Sequence, residues 1–519
     1  MNVTKKFVPL GEYAPDAAVY NNSLSPYASF ESPPVINASN ILWVDGKYVP
    51  ALSFASLGQA IAARCQGATT ATDTSDAIHI YAGTGAKLYE YLGSSFNDVS
   101  VAGGYTAADA SYWKFAQFSS SGYGNLLFAT DFNDGIQQIA PGAAAFALIT
   151  SSTGTAPKCS QIANIGQFVV CGNTQEATNG AVPYRVQWCG INNPTYWGYS
   201  SLADQQAQGG QQFMNANYGP INHISNGGQY GLIFQERAIT RMYYVGGDAI
   251  FDFSGIVDLQ RGCLFPNSAV QIGANVYFIA HDGFCMTDGQ SVQQIGHGKV
   301  DTTFLNNVSQ QYADRVRGAY DPIQKLIYWA YCSSGNTTGI CDSVIAYNYM
   351  ENRFMPITES ISCMFLTKSF GYTMDTLDNV NTNLDLITPS LDSPYWEGGN
   401  QQVGTFDANN NYGTLTGAAL AASIDTIETD PNPGGISYFD GARPIFTDSV
   451  GNGVVTVTPS TRRTENSAYT VGAAASVNTR TGICNFRASG RYMKATIGIT
   501  GGFDALMGAD VYIQPAGEA

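Results

Sequence analysis

Short runs of alternating apolar and polar residues, each followed by a glycine-containing turn, recur along most of this chain. The clearest are Ile78–Tyr91, Asn125–Ile139, Ile162–Cys171, Asn226–Phe234 leading to Ile239–Tyr244, Ile272–Phe284 closed by Asp288-Gly289, and Asp321–Ala330 with Val344–Tyr349. A period of two marks β-strands. The Asn-Gly, Asp-Gly and Gly-Gly dipeptides between runs supply the positive φ of tight hairpins. The units return roughly every 40–60 residues, the period of propeller blades. Such a unit cannot bury both faces alone and must stack with its neighbours. The pattern predicts an all-β protein with a β-propeller of about six blades over residues 51–370. A plain β-sandwich with irregular loops is the competing architecture.

Outside that stretch the pattern changes. Residues 1–50 carry Pro9, Pro15, Pro26, Pro33, Pro34 and Pro50 and read as an extended N-terminal arm that docks along a neighbour. Ser53–Arg64 predicts a short helix. Val300, Phe304, Val308, Tyr312 and Val316 fall at steps of four, predicting a helix over Val300–Arg317 that links blades. From about 370, Thr, Ser, Asn and Gly rise, and Pro431-Asn-Pro-Gly-Gly reads as a turn or linker. Gly453–Pro459, Arg491–Ile499 and Gly508–Gln514 alternate again. Residues 371–519 therefore read as a second β domain resembling a sandwich.

Composition adds to this picture. Only 12% of residues are charged, against 56 Gly, 31 Tyr and 26 Phe, which suits strands and turns better than exposed helices. The net charge of −16 lacks the basic surplus that a free nucleic-acid binder uses to displace counterions. An acidic wall would repel DNA, as suits a surface that DNA must pass without sticking, although solubility is the plainer reading. Ser369–Ala442 holds Asp375, Asp378, Asp385, Asp392, Glu397, Asp407, Asp425, Glu428, Asp430 and Asp440 with no Lys or Arg. Arg443–Lys494 reverses the balance with Arg443, Arg462, Arg463, Arg480, Arg487, Arg491 and Lys494. The two segments can pair within one domain or between subunits.

Ten cysteines occur without a CxxC, so no zinc spacing is present and no metal is expected. They read as buried free thiols, which favours assembly in a reducing cytoplasm. Cys332 and Cys341 flank a short loop and are read as a free pair. The longest apolar run, Gly142–Ile149, is too short to span a bilayer, and Lys5-Lys6 is followed by no signal-peptide core.

A search for chemistry finds little. The four histidines, His79, His223, His281 and His297, form no metalloprotease pattern. His281-Asp282-Gly283 and Asp134-Gly135 read as turns. Carboxylate pairs such as Asp131 and Asp134 have the residue types of a glycosidase acid and base, but Asp134-Gly135 is a turn signature. Gly83-Thr84-Gly85 lies in a hairpin with no helix after it, so it is no phosphate cradle. The sequons at Asn2, Asn21, Asn37, Asn307 and Asn336 read as chance matches. No catalytic, cofactor-binding or metal residues are assigned, no cofactor is implied, and the chain is not expected to be an enzyme.

One ordered set of segments is more specific. Tyr184–Trp197, Gly228–Gly247, Val276–Phe284 and Ile295–Asp301 resemble the β-propeller tail nozzle or hub proteins of short-tailed bacteriophages, sometimes grouped with packaged-DNA stabilisation proteins. The likeness covers roughly residues 160–360, and Arg487–Lys494 and Gly508–Val511 also resemble that family. What the resemblance implies is a structural subunit of the virion tail, assembled in the host cytoplasm. It would form a homo-hexameric ring beside the portal, adaptor and tail fibres, and the ring would retain packaged DNA and later pass it. The family carries no catalytic residues. Trp188, Pro194 and Trp197 then read as blade core and corner residues. The alternative is a receptor- or glycan-binding tail protein, with or without polysaccharide-degrading activity.

Overall fold

The alternating runs fold as antiparallel strands, and they group into seven four-stranded sheets rather than about six. A computed structural model describes residues 3–17, 34–369, 399–432, 435–449 and 451–518. The acidic residues Asp375, Asp378, Asp385, Asp392 and Glu397, and Asn2, Asn21, Pro26 and Pro33, lie outside the described residues.

The first blade comprises Gly67–Thr72, Ile78–Gly83, Leu88–Tyr91 and Phe96–Asp98, and the second Lys114–Ser120, Gly124–Thr130, Gln137–Ile139 and Ala147–Leu148. The third comprises Lys158–Ile165, Phe168–Glu176, Gly180–Trp188 and Gly210–Phe213. The fourth is Ile221–Ile224, Tyr230–Gln235, Ile239–Gly246 and Ile250–Asp258, and the fifth Val270–Ile272, Asn275–Ala280, Gly283–Thr287 and Val292–Gln294. The sixth is Arg317–Asp321, Leu326–Tyr331, Ser343–Asn348 and Arg353–Ile357. The seventh joins Ile361–Lys368, Gln401–Asp407 and Asn411–Thr414 to Ala55–Ala60 from the other end of the chain.

The first strands of successive blades pack on one another around an axis, and the seventh packs on the first. Neutral amides and hydroxyls tie these inner strands together. Gln117 donates to the Thr72 carbonyl at 2.8 Å, Asn226 Oδ1 accepts from the Asn164 amide at 3.0 Å, and Gln271 exchanges two bonds with the Asn226 backbone. Buried aromatics fill the spaces between blades, with Phe284 beside both Trp329 and Phe354 at 5.0 and 5.2 Å. The ring is thus a closed seven-bladed propeller.

Two expectations change here. Ser53–Arg64 does not form a helix, because its centre is the outer strand Ala55–Ala60. Its Ala-rich composition favours helix only weakly, and Gly58 lowers even that preference. The free edge of Asn411–Thr414 captures the segment, and a Cβ on Gly58 would sit 2.7 Å from the Ser94 carbonyl oxygen. The stretch Val300–Arg317 is α-helical only over Asp301–Asn307, with a single 3-10 turn at Ala313–Arg315. Val308 and Val316 are buried with Phe304 as their spacing predicted, yet Val308 turns extended to bridge Ser333, and Arg317 opens the sixth blade.

The remaining strands form a second body. One sheet runs Ile41–Val44, Lys47–Pro50, Ala505–Glu518, Gly435–Thr447 and Cys484–Gly490, with Thr4–Pro9 added beside Ala505–Glu518. The other runs Ala38–Ser39, Ala422–Asp425, Tyr492–Thr500, Val454–Arg462 and Thr470–Val471, with Ala475–Ser476 also beside Val454–Arg462. Their facing apolar residues, among them Ile41, Val457, Ile497, Leu506 and Val511, make one core. This is the expected sandwich, but the expected boundary near residue 370 falls inside the seventh blade. The propeller's sheets run to Thr414, and the arm contributes strands to both sheets of the sandwich. The two bodies pack directly: Arg353 of the sixth blade stacks 3.8 Å over the Trp43 ring, and the Asn40 amide donates to the Pro356 carbonyl.

Candidate functional site

Two places combine polar side chains with access to solvent: a cleft beside the third blade and one end of the propeller axis.

The cleft has a volume of about 860 Å³ and lies between the second and third blades, lined by Leu148, Thr153, Thr155, Gln175, Thr178 and Tyr199 among others. That size suits a small ligand. Two carboxylates line it, and local structure commits both. Glu176 bonds the guanidinium of Arg185, a residue with no exposed surface, and also accepts from Asn179 and from Tyr199 at 2.9 Å. Burial acts to raise the Glu176 pKa, but these donors outweigh it and hold the carboxyl below its ordinary value. Asp204 accepts from the Ser200 and Ser201 amides and from Tyr196, closing a capping box at the helix Leu202–Gln206. Burial opposes the shift there too, yet the donors bring Asp204 down to about 2. A general acid in glycoside hydrolysis needs a raised pKa, and neither group has one.

The raised carboxylates lie elsewhere. Asp131 is pushed up to about 6 by burial and then by Asp134. Its Oδ1 accepts from the Asp134 amide at 2.9 Å, while Asp134 accepts from the Thr106 amide. The pair therefore builds a turn, as Asp134-Gly135 implied. Asp301 is also raised to about 6, chiefly by burial, and its Oδ1 accepts from the Phe284 amide. Gly283 and Gly296 leave room for that carboxylate, since a Cβ on either would lie 2.0 Å from it.

At the axis, the segments that lead into the inner strands bring together Arg64, Gln66, Asp109, Tyr112, Lys114, Arg315 and Arg317. Asp109 binds Arg315 at 2.5 Å and Arg64 at 3.4 Å. Arg317 donates to the Gln66 carbonyl at 2.5 Å. Lys114 of the second blade reaches the Pro266 carbonyl, before the fifth, at 3.3 Å. Its ammonium is pushed down to about 8, first by burial and then by the charge of Arg317. Nearby His223 is held neutral by burial and by Lys114. Lys114 thus reaches across the propeller's own channel.

Other singled-out residues have structural roles. His281 and Asp282 form the two-residue turn between Ala280 and Gly283, and His281 meets Glu236 at 3.2 Å. That partner was not legible in sequence, because Glu236 is 45 residues away. Gly83 makes space for Trp113, whose indole donates to the Thr84 carbonyl at 2.9 Å. Trp188 and Trp197 are buried in the core around the third blade, and Trp197 donates to the Pro194 carbonyl. All ten cysteines are buried and free, with Cys332 and Cys341 sulfurs 3.9 Å apart. Among the described residues no three His, Cys, Asp or Glu side chains gather as a metal site, and no helix is long and apolar enough to cross a membrane.

The acidic and basic segments do pair within the sandwich. Arg462 grips Glu428 at 2.7 Å, Lys494 binds Asp425 at 2.7 Å, and Arg491 meets Asp430 at 3.1 Å.

No family model and no curated protein matches this sequence. Solved structures with a similar course of chain include BBS1N in complex with ARL6DN, at 10% identity and a TM-score of 0.41 over 73% of this chain and 98% of that one. The RRP9 WD40 repeats align at 10% identity and a TM-score of 0.36 over 62% of this chain and 89% of that one. An exo-β-1,3-galactanase from Phanerochaete chrysosporium with galactose aligns at 9% identity and a TM-score of 0.28, over 89% of this chain and 100% of that one. The assignment of this chain to the β-propellers rests on its own sheet order.

Proposed function

We propose that the chain is a structural subunit of a short-tailed bacteriophage tail, a nozzle or hub that assembles with further copies into a ring. The double closure of the chain supports this reading most directly. Ala55–Ala60 completes the seventh blade, and Thr4–Pro9 zips onto Gly508–Ile513 in the sandwich. Neither body can open without releasing strands near the N-terminus, a construction suited to a static, load-bearing part. In this reading the ring is a homo-hexamer bound to adaptor and fibres. Its acidic copies line a lumen that holds packaged DNA and lets it pass at ejection. Because Lys114 reaches across each propeller's own channel, this reading places the conduit between subunits.

Mixing purified chain with its adaptor ring tests the assignment. Co-migration as a ring-on-ring complex is expected, with density on the tail axis in electron micrographs of virions. A chain that stays monomeric beside the adaptor, or density away from the axis, would overturn it. The second reading, a glycan-binding tail protein, is favoured by the hydroxyl-rich cleft beside the third blade. Saturable binding of host polysaccharide, lost on filling the cleft with Thr178→Trp, would support that reading instead.

A further inference from the structure

The basic groups at the propeller axis are out of balance with their surroundings. The whole chain holds only 24 Lys and Arg, yet Arg64, Lys114, Arg315 and Arg317 converge at one end of the channel. Two carboxylates, Asp109 and Asp314, face them. Arg315 and Arg317 are only 6% and 8% exposed, and the Arg315 Nη1 is buried with no hydrogen-bond partner. Arg317 uses one nitrogen on the Gln66 carbonyl, and Lys114 makes one long bond to Pro266. Arg315 meets Asp109 and Asp314, but Arg317 and Lys114 bond only to carbonyl oxygens, and a buried cation without a charged partner is costly, so the arrangement calls for a counter-charge.

The end is open to solvent, since the Asp109 side chain is 84% exposed. His223 Nε2 is also buried without a partner, and Tyr112, which takes a bond from Gln161, is close to Arg317.

We propose that this axial end of the propeller, where Arg64, Lys114, Arg315 and Arg317 meet, binds a small multiply charged oxyanion of the phosphate class. Guanidinium forks and an ammonium suit the several oxygens of a tetrahedral anion. The buried guanidiniums of Arg315 and Arg317 cannot reach the backbone of a duplex, and a chain of net charge −16 repels one at long range. The depressed Lys114 ammonium agrees: its near neighbours are cationic Arg317, neutral His223, Cys263 and Tyr112, and none of these supplies a negative charge at neutral pH. A bound oxyanion would supply one and restore the ammonium. The site does not depend on the tail assignment, because it lies within a single chain.

Titration of the full chain with potassium phosphate tests this, with ionic strength held constant by potassium chloride and read by calorimetry and by the phosphorus resonance width. Saturable binding of one phosphate per chain is expected, with a thermal midpoint that rises and levels off. Arg317→Gln should weaken binding by roughly tenfold or more, as loss of a charged hydrogen bond implies. Lys114→Gln, at a residue that is only half-buried and easier to replace, should do the same and keeps the test open if Arg317→Gln does not fold. Equal effects of chloride alone, or phosphate binding unchanged in Lys114→Gln, would overturn the proposal. So would a short DNA duplex that displaces phosphate at equal affinity, since the site would then read a polynucleotide backbone.

Discussion

The ion pair between Arg185 and Glu176 offers the sharpest test of how the third blade is held. Arg185 has no exposed surface, and the Glu176 side chain is 6% exposed. Arg185 also donates to Thr174 at 2.5 Å, while its Nη2 has no partner. Replacing Glu176 by Gln keeps the shape and strands a buried cation. Breaking one partner of a buried pair costs about 3–5 kcal/mol. Unfolding entropy of about 2.1 cal/mol/K per residue, over a unit of roughly 350 residues, gives about 1.4 °C per kcal/mol. The calorimetric midpoint of the propeller should therefore fall by about 4–7 °C at pH 7. The double variant Arg185→Met with Glu176→Gln should regain most of that loss, because no charge then remains inside. The pH dependence has a definite sign. Glu176 has a lowered folded pKa, so its contribution is complete above the unfolded value of about 4.3 and is lost as pH falls through the folded value. Glu176→Gln should flatten that acid limb. A midpoint within about 1 °C of wild type would refute the claim that the buried charge needs its partner.

Asp301 carries the opposite sign. Its folded pKa is raised to about 6, so protonation favours the fold, and stability is lost as pH rises from about 4 through 6. Asp301→Asn, which keeps the acceptor for the Phe284 amide, should stabilise the protein by about 1–3 kcal/mol at pH 7 and have little effect at pH 4, as denaturant melts at the two pH values would show. Mild oxidation should join Cys332 and Cys341, whose sulfurs lie 3.9 Å apart across the loop between two strands. Mass spectrometry should find the loss of two hydrogens in wild type and none in Cys332→Ser. Deleting residues 1–60 should leave both bodies open, so that limited trypsin digestion removes residues beyond 414 first; a trypsin-resistant sandwich in that variant would refute the double closure.

Much of the blade pattern was legible because it is local. Ile78–Tyr91 and Ile272–Phe284 announce themselves by alternation and by a turn glycine, and both fold as the expected hairpins. The core role of Trp188 and Trp197 was likewise legible. Other features depend on distant partners. Ala55–Ala60 looked helical because its neighbours in sequence are small, and only the free edge of Asn411–Thr414 made it a strand. Val308 and Val316 keep the apolar role that their spacing implies, but they reach the core from extended backbone. The axial cluster had no signal at all, since Arg64, Lys114 and Arg317 lie far apart in the chain and meet only when the seventh blade closes on the first.

The sequence alone determined that this protein is built of antiparallel strands joined by tight turns. Period-two burial and positive-φ glycines act over a few residues and need no knowledge of the rest. The tertiary structure alone decided how many blades there are, where the propeller ends, and which charges are buried together. Those outcomes follow from which strand edges and which cations remain unpaired once the ring has closed, and that is a property of the whole chain.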